Sequence, residues 1–163
     1  MICSALPRFV FCGNSLLTSR GIGGADLVCC VAFFNSFAID WMIRNKVSQN
    51  INMFYVYQLP IPRFNQDDPV FDCVVSRGAK LICTTPEFDD LAAEVGLLNH
   101  EHGATDEPER QRLRAELDAI VAHVYGLTED EFAYILTTFP LVSEDIKSAT
   151  LDKFRTYEEW YGH

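Results

Sequence analysis

The chain has 163 residues, 48% of them hydrophobic, and a formal net charge of −10. That apolar content at that length suits one globular domain, or two small subdomains sharing a core, and excludes a disordered tail. A balance this acidic also excludes nucleic acid from most of the surface, because a phosphate partner needs a positive field.

The charge is uneven, however. Residues 1–63 hold Arg8, Arg20, Arg44, Lys46 and Arg63 against Asp26 and Asp40, a local +3, while the remaining hundred carry −13. Only the first stretch can serve as an electrostatic footprint for DNA. The six cysteines form no C-x-x-C pair and mostly sit in apolar runs, which reads as reduced thiols packed as small hydrophobes in a cytoplasmic protein. No charged start, apolar run and small-residue cleavage site opens the chain, so no signal peptide is expected.

In chain order, residues 9–11 and 16–18 read as short strands around the Gly13-Asn14 turn, and Arg20 to Gly24 as a flexible loop. The apolar stretch that follows is interrupted by Asn35, Ser36 and Asp40 and falls short of the roughly 20 apolar residues of a bilayer span, so no membrane contact is expected. It predicts one long helix over 25–45, buried on nearly all sides. Residues 51–59 alternate as a strand, with Ile51, Met53, Tyr55, Tyr57 and Leu59 on one face, and Pro60 and Pro62 end it.

A polar stretch at 65–68 marks a boundary, after which everything reads as helical. Asp68 and Pro69 are the cap and first position of one helix; Thr85-Pro86 opens another, with Phe88, Leu91, Ala92 and Val95 on one stripe and Gly96 as its stop. Residues 110–125 put Leu113, Leu117, Ile120, Val121 and Val124 on one face and close at Gly126. Thr128 and Glu131 form a capping box for a helix burying Phe132, Ile135 and Leu136, antiparallel to the one before, and a last helix is expected near 151–161. The predicted fold is therefore α+β: a small mixed β-sheet packed on a long buried helix over 1–64, then an acidic helical subdomain over 65–163.

Two blocks carry a family resemblance. Asn35-Ser-Phe-Ala-Ile-Asp-Trp41, Arg44-Asn-Lys-Val47, Asn52-Met-Phe54 and Gln58-Leu-Pro-Ile-Pro62 form the first. Leu113-Arg-Ala-Glu-Leu-Asp118, His123-Val-Tyr-Gly-Leu127 and Phe132-Ala-Tyr-Ile-Leu136 through Pro140 form the second. Together, over about 30–62 and 107–142, they resemble the end of the target-recognition region and the helical tail of type IIG restriction-modification enzymes, which are N6-adenine DNA methyltransferases. The resemblance implies double-stranded DNA as partner, a catalytic methyltransferase domain upstream, and S-adenosylmethionine as the cofactor of that domain rather than of this chain.

No catalytic residue is assigned here. Asn35-Ser-Phe37 lacks the prolines of the motif that holds a flipped adenine. The Gly21 to Gly24 loop lacks the strand and helix that make a glycine-rich loop a nucleotide site. Asp152-Lys153 lacks the spacing of a nuclease acid pair with its lysine. His100, His102 and His123 have no fixed third ligand, so no metal site is expected. Arg110, Arg112 and Arg114 are matched by Glu107, Glu109, Glu116 and Asp118, which reads as a solvated charged face.

The candidate DNA-binding residues are Arg44, Lys46, Ser48, Gln49, Asn50 and Asn52 in the hinge after the long helix, with Arg20 in the glycine-rich loop. Amides and arginine can pair bidentately with base edges, and lysine suits phosphate. The same residue types equally make a solvated loop whose amides cap backbone groups. The predicted function is accordingly a non-catalytic DNA-recognition and scaffold unit; the alternative is a protein-docking module without DNA contact. Strand edges left unpaired in such a unit would favour self-association.

Overall fold

The computed structural model describes residues 3–7, 10, 21–47, 51–65 and 67–160. Among these residues every regular element is a helix and there is no strand, so the expected α+β fold is corrected to an all-helical one. Residues 51–59 are not a strand. Asn52 accepts a hydrogen bond from the Tyr55 N–H, and the chain turns into a one-turn helix further along this segment. The alternating pattern needed a neighbouring strand to pair with, and no described residue supplies one, so the local cap prevails. The other two candidate strands lie in a stretch outside the described residues, apart from Val10.

The long helix expected over 25–45 is two, α1 (Gly24–Phe34) and α2 (Phe37–Arg44), bent by 64°. The polar residues between them make the break. The Ser36 hydroxyl donates to the Phe33 carbonyl and accepts from the Ile39 N–H, capping α2. Asn35 donates to the carbonyls of Val31 and Cys3 and accepts from the Cys3 N–H, pinning the N-terminal segment to the bend. No single described helix is long and apolar enough to cross a membrane.

After α3 (Met53–Val56), α4 (Pro69–Ile82) starts as its sequence dictates, with Pro69 in the first turn and the Asp68 carboxylate accepting from the Val70 N–H. A 3-10 turn over Pro86–Phe88 leads into α5 (Asp89–Glu94), and Glu94 accepts the Gly24 N–H at 2.6 Å, so one short helix supplies the N-terminal partner that α1 lacks. The longest element, α6 (Glu107–Val124), is capped by Asp106 and ends at Gly126, whose φ of +66° is left-handed. The Thr128–Glu131 capping box opens α7 (Glu129–Thr137), followed by α8 (Glu144–Arg155) and α9 (Tyr157–Trp160).

The central layer is α6. Against one side of it packs α4, and α1 packs in turn on α4, the two crossing closely because Gly78 has no side chain: a Cβ there would lie 2.6 Å from a Val28 methyl. The main core joins Val28, Phe33 and Ala38 to Phe71, Val74, Leu117, Ile120 and Val121, and so draws on both stretches of the chain. The chief partner of α6 on its other side is α8; α7, expected to pair with α6, lies instead against α2 and α8. Phe132 and Leu136 of α7 still reach Ala119 and Ala122 of α6, with Phe154 of α8 completing a second cluster.

One polar residue is built into this packing. The Glu116 side chain on α6 is 4% exposed, and it accepts from Arg77 of α4 at 2.9 Å, from Arg112 one turn away at 2.8 Å and from Lys153 of α8 at 3.0 Å. Burial pushes its carboxyl up, but the bonds from Arg77, Lys153 and Arg112 outweigh that and hold it below the usual glutamate range. The Arg77 side chain is itself only 11% exposed. Replacing Glu116 with alanine removes the carboxylate that compensates a buried guanidinium, and is expected to cost about 3–5 kcal/mol in urea unfolding. The double variant Glu116→Leu with Arg77→Met is expected to be more stable than that single variant; equal or lower stability would show that the charges are not energetically coupled.

Candidate functional site

The hinge after α2 is held from below by apolar anchors. Ile39, Ile43 and Leu59 form a buried cluster, against which Val47, Ile51 and Ile61 pack. Tyr125 closes it from the end of α6, donating its hydroxyl to the Pro60 carbonyl at 3.0 Å; burial pushes that phenol up to about 12. The described backbone between Arg44 and Arg63, residues 44–47 and 51–63, therefore runs over the core as a surface strap.

The predicted site residues are brought only partly together. Arg44 forms an ion pair with Asp40 at 2.8 Å, and its guanidinium lies 4.6 Å over the Phe139 ring, so it ties α2 to the segment after α7. Lys46 donates to the Gln58 carbonyl at 3.4 Å and closes the strap while its ammonium keeps further donors for solvent. Asn52 is an exposed helix cap. Ser48, Gln49, Asn50 and Arg20 lie outside the described residues.

Two residues of the expected strand face outward. Phe54 is 67% exposed and Tyr57 78% exposed, and being three apart on a helical turn they share one side of the strap. Asn45, Gln58 and Arg63 are exposed along the same segment, and no acidic residue occurs between Asp40 and Asp67. The strap thus combines exposed cations, amide groups and accessible rings on a chain that is elsewhere acidic. Cations and amides address phosphates and base edges, and exposed rings offer stacking faces. The signal that could have located the rings was the Asn52 cap, which makes a helical spacing of 54 and 57 the relevant one rather than strand alternation.

The histidines are separated into unrelated roles. His100 bonds Asp89 at 2.8 Å, His102 bonds Asn99 at 2.7 Å, and His123 stacks between Phe154 and Tyr157 at 4.1 Å from each ring. Among the described residues no three His, Cys, Asp or Glu side chains gather as a metal site would require.

The charged face expected on α6 is also divided. Arg114 pairs with Glu107 at 3.1 Å and Arg112 with Glu116, but Asp118 pairs with none of the arginines. Its carboxylate accepts the Phe37 N–H at 2.8 Å, at the start of α2, and lines a deep cavity between α6 and its neighbours. Burial pushes the Asp118 carboxyl up from 3.8 to about 7, against a smaller downward pull from the Phe37 bond.

Comparison with family models, with curated proteins and with solved structures finds no match. The chain's own residues therefore carry the functional reading.

The raised Asp118 carboxyl has a consequence for stability. The folded state binds this proton more tightly than the unfolded chain does, so the contribution is complete below the ordinary value of 3.8 and is lost as pH rises towards about 7. Asp118→Asn keeps an acceptor for the Phe37 N–H and cannot ionise. Its stability relative to the parent is expected to rise across that window, with a slope approaching about 1.4 kcal/mol per pH unit, and to level off above it. Parallel stability curves for the two proteins, from thermal melts over pH, would contradict the assignment.

Proposed function

We propose that this chain is a non-catalytic DNA-gripping unit in which the strap from Arg44 to Arg63 faces the nucleic acid and the helical bundle serves as its scaffold. The observation that carries the reading is the acid-free strap itself, along which Lys46, Phe54, Tyr57 and Arg63 are all exposed. Exclusion follows from the same charge distribution. The −13 carried by residues 64–163 repels a duplex from most of the remaining surface, leaving the strap as the face where approach is favourable.

The resemblance to type IIG restriction-modification methyltransferases supports this division of labour. It assigns methyl transfer from S-adenosylmethionine to a catalytic unit outside this chain, with double-stranded DNA as the shared partner. In this reading Lys46 and Arg63 contact phosphates, and Asn45, Asn52 and Gln58 are within the segment that reaches base edges. The exposed rings provide sequence-tolerant contact with any base turned out of its stack.

A mobility-shift titration of duplex DNA at several salt concentrations tests the proposal. Binding is expected at low salt and to weaken linearly in log–log form, with Lys46→Gln and Arg63→Gln each reducing the slope by about one unit. Phe54→Ala with Tyr57→Ala is expected to weaken binding to DNA carrying an unpaired base by about 1–3 kcal/mol per ring, with the slope unchanged. Absence of binding at the lowest salt, or a slope indifferent to both cation replacements, would sink the reading in favour of a protein-docking module.

A further inference from the structure

A cavity of about 990 Å³ runs along α6, between α1 and α4 on one side and α8 on the other. It is of the size that encloses a small organic ligand, and no residue of the Arg44 to Arg63 strap lines it. Its walls include Val31 and Ala32 of α1, Leu81 and Ile82 of α4, and Ala149 of α8. Two charged groups of opposite sign are among the residues that line it.

One is Asp118 of α6. One carboxylate oxygen accepts the Phe37 N–H. The other meets no protein donor, and since no buried side-chain oxygen among the described residues is left unsatisfied, this oxygen opens on the cavity. The other is Arg110, near the start of the same helix. Its guanidinium donates to the carbonyls of Leu81 at 3.1 Å and Ala104 at 2.7 Å, both neutral, so its position is fixed while its charge meets no carboxylate. The other cations lining the cavity each meet a carboxylate, Arg114 at Glu107, Arg112 at Glu109 and Glu116, and Lys153 at the Glu116 that it shares with Arg77, and the remaining acid in the lining is Asp145. Eight residues separate Asp118 from Arg110, which is about 12 Å along a helix axis.

We propose that this cavity binds a dipolar organic amine: an amino or ammonium group docks on Asp118, a carboxylate or phosphate meets Arg110, and an apolar stretch of about 12 Å lies between them. The group at Asp118 is organic rather than a metal ion, because among the described residues no set of three His, Cys, Asp or Glu side chains gathers there. An ammonium suits it for a specific reason. A carboxylate with one position already taken by a backbone N–H keeps further acceptor positions for the N–H donors of an ammonium, and an apolar wall strengthens those bonds. Arg110, held by two carbonyls, presents its remaining N–H groups without having to order a flexible side chain on binding. The site is independent of the DNA-facing strap, so either assignment can fail without the other.

Straight-chain α,ω-amino acids of increasing length are the probe, titrated calorimetrically into the full chain alongside the alkylamine and the alkyl carboxylate of matching length. The expected result is a length optimum, at which the two-ended molecule binds roughly tenfold or more tightly than either single-ended one. Asp118→Asn is expected to weaken the amino acid and the amine while leaving the carboxylate unaffected, and Arg110→Gln to do the reverse. The length series on the unaltered chain decides the matter even where a variant does not fold. Affinity that is absent for all three probe classes, indifferent to length, or equal for the amine alone would overturn the proposal.

Discussion

Glu116 makes bonds to three cations drawn from three helices, although it sits on the buried side of α6. A carboxylate taken out of water costs several kcal/mol unless its lone pairs are met by well-placed donors. Because those donors come from Arg77 on α4 and Lys153 on α8, both helices must lie where their side chains reach one point on α6. Apolar packing alone would tolerate sliding of one helix along another; this constraint removes that freedom. The rest of the bundle is arranged around it, with Gly78 allowing α1 to close against α4 and Phe154 of α8 joining α6 and α7 in a second core.

The same helix carries the opposite solution two residues further on. Asp118 lies roughly 200° around the helix from Glu116, and it meets one backbone N–H in place of three cations. On one face of α6 charge is fully compensated and holds the fold together; on the other a carboxylate is kept poorly solvated beside open space. That contrast separates a structural acid from a candidate binding acid. It also explains why their carboxyls shift in opposite directions although both are taken from water.

The strap from Arg44 to Arg63 depends on the bundle in a different way. Its backbone is tied down by Leu59, Ile61 and the Tyr125 hydroxyl, so its polar and aromatic side chains are free to face outward without the segment coming loose. Rigid support under exposed contact residues lowers the entropic cost of gripping a partner. The acidic remainder limits where a polyanion can approach, and the cost of that charge to the fold is reduced by ion pairs such as Arg155 with Glu129.

Local chemistry was legible in the residues themselves. The Asp68-Pro69 start of α4, the capping box of α7, the Gly126 stop and the apolar stripe of α6 all follow from groups within a few residues of one another, because caps and helical periodicity are short-range effects. What failed needed distant partners. The strand at 51–59 required a neighbour to hydrogen-bond with, and the uninterrupted helix at 25–45 gave way where Asn35 found Cys3 and Asp118 reached Phe37. Glu116 and Asp118 looked alike among solvated charges, and only the approach of α4, α8 and α2 made one a buried hub and the other the wall of a cavity. The sequence by itself determined the helices between residues 68 and 140 and the segregation of charge along the chain, while the helix expected near 151–161 opens at Glu144. Tertiary packing alone decided the all-helical architecture and which charged groups were deprived of water, since burial is a property of what other elements bring close.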